Sequence, residues 1–386
     1  MKFLLRLFVL LFLFASPIEV VVNASVKPDF NTAPCYHNGK KWRVAYYEGG
    51  EYINYQKVLT ATVRGLIKLG WIKSIDIPLQ QDEQTKELWN WLVKNIASDY
   101  LEFVYNGYYS ANWDDDTRKE MAEKILSRVK TQNDIDLIIA MGTWAGRDLA
   151  NSKHNTPTIV LSTSDPISAG IIKSVNNSGF THVHAHVDPS RWERQIRLFH
   201  EIIGFNKLGI AYEDTVNGRS YAAIDDVEKV ANERGFEIVR CYTKSDISDT
   251  EIAADSVKAC FEQLTKKSDA IYVTEQGGVT KNSVPELVAI ANKHRTPTFT
   301  QHDSDMVKYG FLVSTSRAEY KYTGEFHALT IAKVFNGAKP NQLTQLFEEP
   351  TKISINLKTA EIIGFKPPLI LLGAADEIFQ TIEIPK

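Results

Sequence analysis

Short apolar runs alternate with amphipathic stretches along most of the chain. Residues 42–47 and 135–141 are dominated by apolar side chains and are typical of strands, as are residues 72–78, 100–105 and 158–161. Between them, residues 58–69 carry apolar side chains at helical spacing and stop at Gly70, which indicates a helix. Regular alternation of strand and helix predicts a parallel, doubly wound sheet.

The same alternation returns in the second half. Strands are predicted over residues 182–187, 207–212, 236–243, 270–274 and 298–301, with helices between them and a long helix over residues 320–336. A chain of 386 residues exceeds the size at which one core keeps growing. The predicted fold class is therefore α/β, with two doubly wound parallel-sheet lobes.

The first 24 residues have the pattern of a secretory signal. A charged start is followed by an apolar run over residues 7–15, and Val22-Asn23-Ala24 offers small residues for cleavage. The alternative is an uncleaved membrane anchor, but Pro17 and Glu19 cut the apolar run short of a full span. We expect a cleaved signal peptide and a soluble exported protein.

Charge and cysteine content narrow the function further. The net charge of −3 is spread along the chain without a basic block, which argues against a nucleic-acid partner. Three cysteines allow one disulfide in an exported protein. Cys241 and Cys260 are close enough in sequence to be bridged if their strand and helix pack, but the sequence leaves both the bridged and the unbridged alternatives open.

Polar side chains follow the predicted strand over residues 158–161. Ser162, Thr163, Ser164 and Asp165 come directly after it, and Pro166 and Gly170 then mark a turn. In open α/β sheets, ligands bind beyond the carboxyl ends of the strands. We expect this stretch to border a binding site.

Two motifs resemble one protein family. Residues 163–170, Thr-Ser-Asp-Pro-Ile-Ser-Ala-Gly, are similar to a Thr-Asp-Pro-x-x-x-Gly segment, and residues 355–364 with 375–377 are similar to a closing Asn-Leu-Lys-Thr-Ala module. Both resemble the ABC-transporter substrate-binding proteins of the tryptophan- and tyrosine-binding type, which have the type I periplasmic-binding fold. Gly179-Phe-Thr-His departs from the Gly-Asn-x-Thr-Gly of many members, so no residue role is carried over there.

The resemblance implies two lobes joined by three hinge crossings, near residues 166, 315 and 340. The amino-terminal lobe would take residues 41–165 plus about 315–340, and the carboxyl-terminal lobe residues 166–314 plus about 341–386. The lipobox of Gram-positive members is absent, which suggests a Gram-negative periplasm. The implied partners are a small-molecule ligand, best an aromatic amino acid or a related compound, and an inner-membrane ABC permease, with the protein as a monomer.

Candidate ligand-binding residues lie at predicted strand ends and at one hinge. Hydroxyls, carboxylates and aromatic rings at such positions suit recognition of a small polar molecule. Thr143 follows a glycine and would open a helix, whose free amides attract an anion. The full set is Tyr47, Glu48, Thr143, Trp144, Ser162, Thr163 and Asp165 from the first lobe, and Tyr212, Glu213, Glu275, Gln276, Asp303 and Arg317 from the second lobe and hinge.

Metal and catalytic chemistry find less support. His182, His184 and His186 alternate, so on a strand they would share one face, either as metal ligands or packed beneath a helix. The nucleophile-elbow, phosphate-loop, zinc-protease and dinucleotide motifs are missing from the sequence. We expect a binding protein without cofactor or metal. The alternatives are a binding protein that docks on a membrane sensor kinase and a periplasmic hydrolase that uses cleft carboxylates.

Overall fold

The computed structural model describes residues 30–78, 85–302, 304–317, 320–348 and 350–385, with backbone alone at 316 and 317. A parallel sheet in the order β2-β1-β3-β4-β5 forms the centre of the first lobe. Its elements are β1 (Trp42–Glu48), α1 (Ile53–Lys68), α2 (Thr85–Asn95), β2 (Leu101–Ser110), α3 (Asp115–Thr131), β3 (Leu137–Met141), α4 (Gly142–Leu149), β4 (Thr158–Leu161) and β5 (Val183–Ala185).

A larger sheet in the order β12-β11-β10-β9-β8-β6-β7 forms the second lobe. Its described strands pair in parallel except β10 with β11, which are antiparallel. Its strands are β6 (Lys207–Tyr212), β7 (Glu237–Tyr242), β8 (Ala270–Val273), β9 (Thr298–Thr300), β10 (Val313–Arg317), β11 (Thr351–Asn356) and β12 (Glu377–Phe379). The two-lobed α/β class predicted from the pattern is confirmed.

Helices cover both faces of the second sheet, and one helix returns to the first lobe. The helices are α5 (Arg191–Ile203), α6 (Val216–Tyr221), α7 (Ile224–Arg234), α8 (Thr250–Leu264), α9 (Val284–Lys293), α10 (Ser304–Lys308), α11 (Tyr320–Phe335), α12 (Leu357–Ile363) and α13 (Leu369–Ala374), with a short 3-10 turn over Pro340–Gln342. Ala328 and Ile331 of α11 are buried in the core of the first lobe. In the described part of the chain, no helix is long and apolar enough to cross a membrane.

Two strand predictions differ from the structure. Residues 73–78 form no strand, although Ile72 and Ile77 are buried in the core, because the segment packs its side chains without joining the sheet. The strand at Val183–Ala185 pairs with β4 and so belongs to the first sheet, whereas the pattern assigned it to the second unit. Apolar spacing reports burial but not which strand is the neighbour.

The lobe crossings follow from this sheet membership. The chain passes between lobes after β5 and before α5, between β10 and α11, and between α11 and β11. Val187 and Leu346, on the first and third crossings, form a parallel bridge. The crossing expected near residue 166 therefore lies about twenty residues later. Asp165 instead caps a local turn, where its side chain accepts hydrogen bonds from the backbone N–H groups of Ile167 and Ser168.

One disulfide ties the edge of the second lobe. Cys241 of β7 and Cys260 of α8 are bonded, with their Cα atoms 5.6 Å apart. Cys35 is a free thiol and packs against the first-lobe core. The bridged alternative that the sequence left open is the one present.

Candidate functional site

A cavity of about 450 Å³ lies between the lobes at the carboxyl ends of their strands. The first lobe contributes the loop after β1, the loop after β2, the start of α4 and the loop after β4. The second lobe contributes α6, the loop after β7 and the loop after β8. Binding sites of parallel α/β sheets form at this edge, because the loops that leave the strands converge there.

Aromatic rings form much of the cavity wall. Tyr52, Tyr55, Trp113 and Trp144 come from the first lobe, and Tyr221 faces them from the second. The Trp113 and Trp144 rings meet edge to face, with centroids 5.6 Å apart. A Cβ at Gly50 would lie 2.4 Å from the Trp113 ring, so a glycine is needed for the indole to lie there. This wall suits a planar apolar group.

Hydroxyls and free amides line the first-lobe side. Thr143 is the second residue of α4, and Ser162 and Ser164 follow β4. Gly142 has a φ of +82°, and a Cβ there would lie 1.9 Å from the Tyr55 hydroxyl oxygen. The amides of the first turn of a helix have no partner within the helix. This side therefore offers neutral hydrogen-bond donors.

Carboxylates line both sides. Glu51 comes from the first lobe, and Asp246 and Glu275 come from the second. Asp246 Oδ2 accepts a hydrogen bond from Trp144 Nε1 across the cleft, at 3.1 Å. Burial, and next the charge of Glu213, raise the pKa of Asp246 to about 6. Hydrogen bonds from Trp144 and Asn217 and the charge of Arg118 lower the pKa of Asp246, but they do not cancel the rise.

Glu213 shapes the loop that carries Asp246. Glu213 Oε2 accepts hydrogen bonds from the backbone N–H groups of Ser245 and Asp246, at 3.0 and 2.9 Å. Glu213 does not line the cavity, so its role in the structure is to hold this loop. Glu213, which the sequence predicted as a ligand contact, therefore supports the loop whose Asp246 side chain lines the cavity.

Glu48 lies beneath the cleft floor. It is fully buried, and its carboxyl oxygens lie 2.7 Å from the Tyr46 hydroxyl, 2.5 Å from the Tyr108 hydroxyl and 3.2 Å from the Ser110 hydroxyl. Burial raises the pKa of Glu48 to about 8, although the hydroxyl donors oppose the rise. Glu48 is closed off from the cavity and forms a polar cluster inside the first lobe.

The structure brings some of the sequence-predicted site residues to the cavity. Those that line it are Thr143, Trp144, Ser162, Glu275 and Gln276. The Gln276 side chain also contacts Thr243 and the Ala211 carbonyl, so it fixes strand ends as well. A ligand role for these five residues stays a prediction.

Other predicted residues lie elsewhere. The Tyr47 hydroxyl donates to Asp148 at 2.8 Å, Thr163 is buried beside the cleft without lining it, and Tyr212 packs on Tyr242. Asp165 caps its turn, as described above. Asp303 falls outside the described residues, and Arg317 ends β10 with its side chain outside them.

Sequence reasoning missed Tyr55, Trp113 and Asp246. Tyr55 lies on α1, where its spacing matches a core position, and Trp113 lies in a loop that the pattern left without a role. Asp246 follows β7 by four residues, and the rule that ligands bind at strand ends could have found it. The neighbouring Lys244, Ser245 and Asp249 gave no reason to prefer it.

The alternating histidines are packed in the first lobe. His182 lies against His154, with ring centroids 4.4 Å apart, and burial lowers its pKa to about 4. His184 Nε2 lies 2.8 Å from the Thr344 carbonyl, and His186 Nδ1 lies 3.2 Å from His327 Nε2 of α11. Within the described ranges, no group of three or more His, Cys, Asp or Glu side chains is placed to hold a metal.

An outer chamber of about 950 Å³ adjoins the cavity and shares Tyr52, Thr250 and Thr280 with it. Its walls come from the start of α1 on one side and from α8, α9 and α10 on the other. Lys258 and Glu286 form an ion pair there, at 2.7 Å. The chamber provides a polar approach to the aromatic cavity.

Comparison with known proteins assigns the fold and the family. The family model of ABC transporter substrate binding proteins matches residues 105–378. A tyrosine-binding protein of Clostridioides difficile is 23% identical over 260 residues, which cover 67% of this chain and 70% of that protein.

Solved structures agree on the architecture. A conserved domain protein of Vibrio cholerae has a TM-score of 0.66 at 19% identity, covering 88% of this chain and all of that one. A Streptococcus pneumoniae protein solved in complex with L-Trp has a TM-score of 0.65 at 18% identity, covering 87% of this chain and all of that one. At this identity the likeness establishes the fold, which is the type I periplasmic-binding fold expected from the sequence.

Proposed function

Because the chain belongs to the family of ABC transporter substrate-binding proteins, we propose that it captures a small molecule between its lobes and delivers it to a membrane permease. The observation that carries the proposal is the inter-lobe cavity, where aromatic rings, hydroxyls and carboxylates converge. A relative is named for tyrosine, and one similar structure holds tryptophan. The best ligand is an aromatic amino acid or a related compound.

We propose further that the protein works outside the inner membrane. The apolar run over residues 7–15 supports export, and the missing lipobox suggests a Gram-negative periplasm. The protein would act as a monomer and without a cofactor, and it would release its ligand unchanged. Uptake of the ligand by cells with and without the protein tests delivery to a permease, because a protein that only signals to a sensor kinase would leave uptake unchanged.

A thermal-shift screen tests the ligand class. A ligand that binds only the folded protein stabilises it by about 2.7 kcal/mol at a hundredfold excess over Kd. We expect aromatic amino acids and aromatic amines to raise the melting temperature, and sugars and nucleosides to leave it unchanged. A shift from another class alone would contradict the ligand assignment, and chemical conversion of the ligand during incubation would contradict a purely binding role.

A further inference from the structure

The charged side chains among the described residues of the cavity wall are all acidic. Glu51, Asp246 and Glu275 line the cavity, and among its described lining residues there is no Lys, Arg or His. A bound molecule therefore meets carboxylates from both lobes and neutral donors elsewhere. Such a wall favours a positively charged group and disfavours a negative one.

Two guanidinium groups that contact residues of the wall are already engaged. Arg118 lies over the Trp144 ring, 4.5 Å from its centroid, and forms an ion pair with Asp148 at 2.8 Å. Arg147 Nη1 donates to Asn217 Oδ1 at 2.8 Å. Neither arginine lines the cavity. A ligand carboxylate would find neutral donors there, which are hydroxyls, backbone amides and the side-chain amides of Asn112, Asn217 and Gln276, with three carboxylates nearby.

The second-lobe carboxylates face the aromatic wall. Asp246 accepts from Trp144 Nε1, as described above, and Glu275 lines the same cavity. Tyr55 lines the same cavity as these two carboxylates, and burial, followed by the charges of Glu48, Asp246 and Glu275, raises the pKa of its hydroxyl. A ligand bound there would pair its ammonium group with Asp246 and Glu275, and its aromatic ring would pack against the tyrosine and tryptophan rings of the wall.

We propose that the cleft selects cationic aromatic amines over the zwitterionic amino acids that carry the same ring. This inference rests on the proposed function and narrows its ligand class. Asp246 and Glu275 determine the specificity, because they attract the ammonium group and repel a carboxylate. Decarboxylated analogues keep the ring and the amine but carry no repelled group.

Calorimetric titration of the purified protein tests this selection. The probes are tryptamine and tyramine, the matching L-tryptophan and L-tyrosine, and indole-3-propionate, which has a carboxylate but no amine. We expect each amine to bind at least tenfold more tightly than its amino acid, and indole-3-propionate to bind weakest. Amino acids that bind as tightly as the amines would overturn the inference and leave the proposed function standing.

Charge-removing variants identify the residues responsible. Asp246→Asn keeps an acceptor for Trp144 Nε1, and Glu275→Gln keeps the side-chain shape; each should weaken amine binding at least tenfold and narrow the gap to the amino acid. Glu262→Gln, an exposed carboxylate of α8 outside the cavity, is the matched control and should change neither affinity. Melting without ligand verifies folding of each variant.

Three further outcomes test the inference and the proposed ligand class. If amino acids bind more tightly and Arg317→Ala abolishes their binding, a guanidinium holds the ligand carboxylate and the inference is wrong. If no aromatic probe binds at all, both the inference and the proposed ligand class fail. Unchanged amine affinity in both Asp246→Asn and Glu275→Gln also contradicts the assignment.

Discussion

Glu48 ends a central strand of the first sheet, where a ligand-binding carboxylate is expected, yet it is fully buried. Tyr46, Tyr108 and Ser110 surround its carboxyl group and close it off from the cleft. A buried carboxyl without a cation nearby favours its protonated form. Glu48 is therefore part of a buried polar cluster of the first lobe and does not line the binding cavity.

The titration of Glu48 gives a prediction on stability. Its folded pKa of about 8 exceeds the ordinary value of 4.5, so between these values the folded state binds the proton more tightly than the unfolded state. Stability from this group is therefore fully present below pH 4.5 and is lost as pH rises through 8, with a slope of at most about 1.4 kcal/mol per pH unit.

Urea denaturation across this pH range measures the effect. Glu48→Gln should flatten the dependence, because the amide has no proton to lose. Glu123→Gln, an exposed carboxylate of α3, is the control and should leave the slope as it is. An equal slope in the wild-type protein and in Glu48→Gln would contradict a buried titrating carboxyl.

At the scale of elements, the contact between α1 and α11 joins segments far apart in sequence. A Cβ at Gly65 would lie 2.7 Å from the Gly324 carbonyl oxygen, and a Cβ at Gly324 would lie 2.4 Å from the Ala61 carbonyl group. The two helices therefore approach closely because glycines face each other. This contact attaches α11 to the first lobe, after β10 has completed its place in the second sheet.

Substitution at this contact should destabilise the first lobe. Gly324→Ala adds a methyl group where backbone already lies, and overpacking of this kind costs about 1–3 kcal/mol. Gly373→Ala is the matched control, because Gly373 is also helical but has open space around its Cβ position, and alanine there should stabilise by up to about 1 kcal/mol. Denaturant midpoints measure both. Equal midpoints for the two variants would argue against a tight interface.

At the scale of the whole molecule, several hydrogen bonds join described residues of the two lobes. Trp144 and Asp246 form one of them, and Arg147 and Asn217 form another. The Trp192 indole of the second lobe also donates to the Ser164 carbonyl oxygen. These contacts and the three chain crossings hold the lobes in the observed arrangement.

Loss of the Trp144 hydrogen bond should loosen this arrangement. Trp144→Phe keeps an aromatic ring but removes the donor to Asp246, and a hydrogen bond to a charged group contributes about 1.5–3 kcal/mol. We expect the population of open molecules to rise about tenfold or more, which X-ray scattering would detect as a larger radius of gyration. Trp42→Phe, which loses a donor within the first lobe, is the control. An unchanged radius of gyration in Trp144→Phe would show that this hydrogen bond does not hold the lobes together.

Much of the fold was accessible from the sequence. The alternation of apolar runs predicted two α/β units, and two short motifs indicated the family. The pattern placed Thr143, Trp144, Ser162, Glu275 and Gln276 in strand-end loops that the structure brings to one cavity. Local spacing carries this information, because side-chain periodicity reflects which face of an element is buried.

Tertiary structure decided which strands are neighbours and which strand-end side chains face the cleft. The strand at Val183–Ala185 pairs in the first sheet, and the Glu48 side chain is buried. Asp246 accepts a hydrogen bond from Trp144, which is 102 residues away in sequence. Such contacts depend on how whole layers of helices and sheets pack, and the local sequence pattern does not determine that packing. The fold therefore determines which carboxylates line the cavity, whereas the order of apolar and polar residues along the chain is enough to predict the α/β architecture.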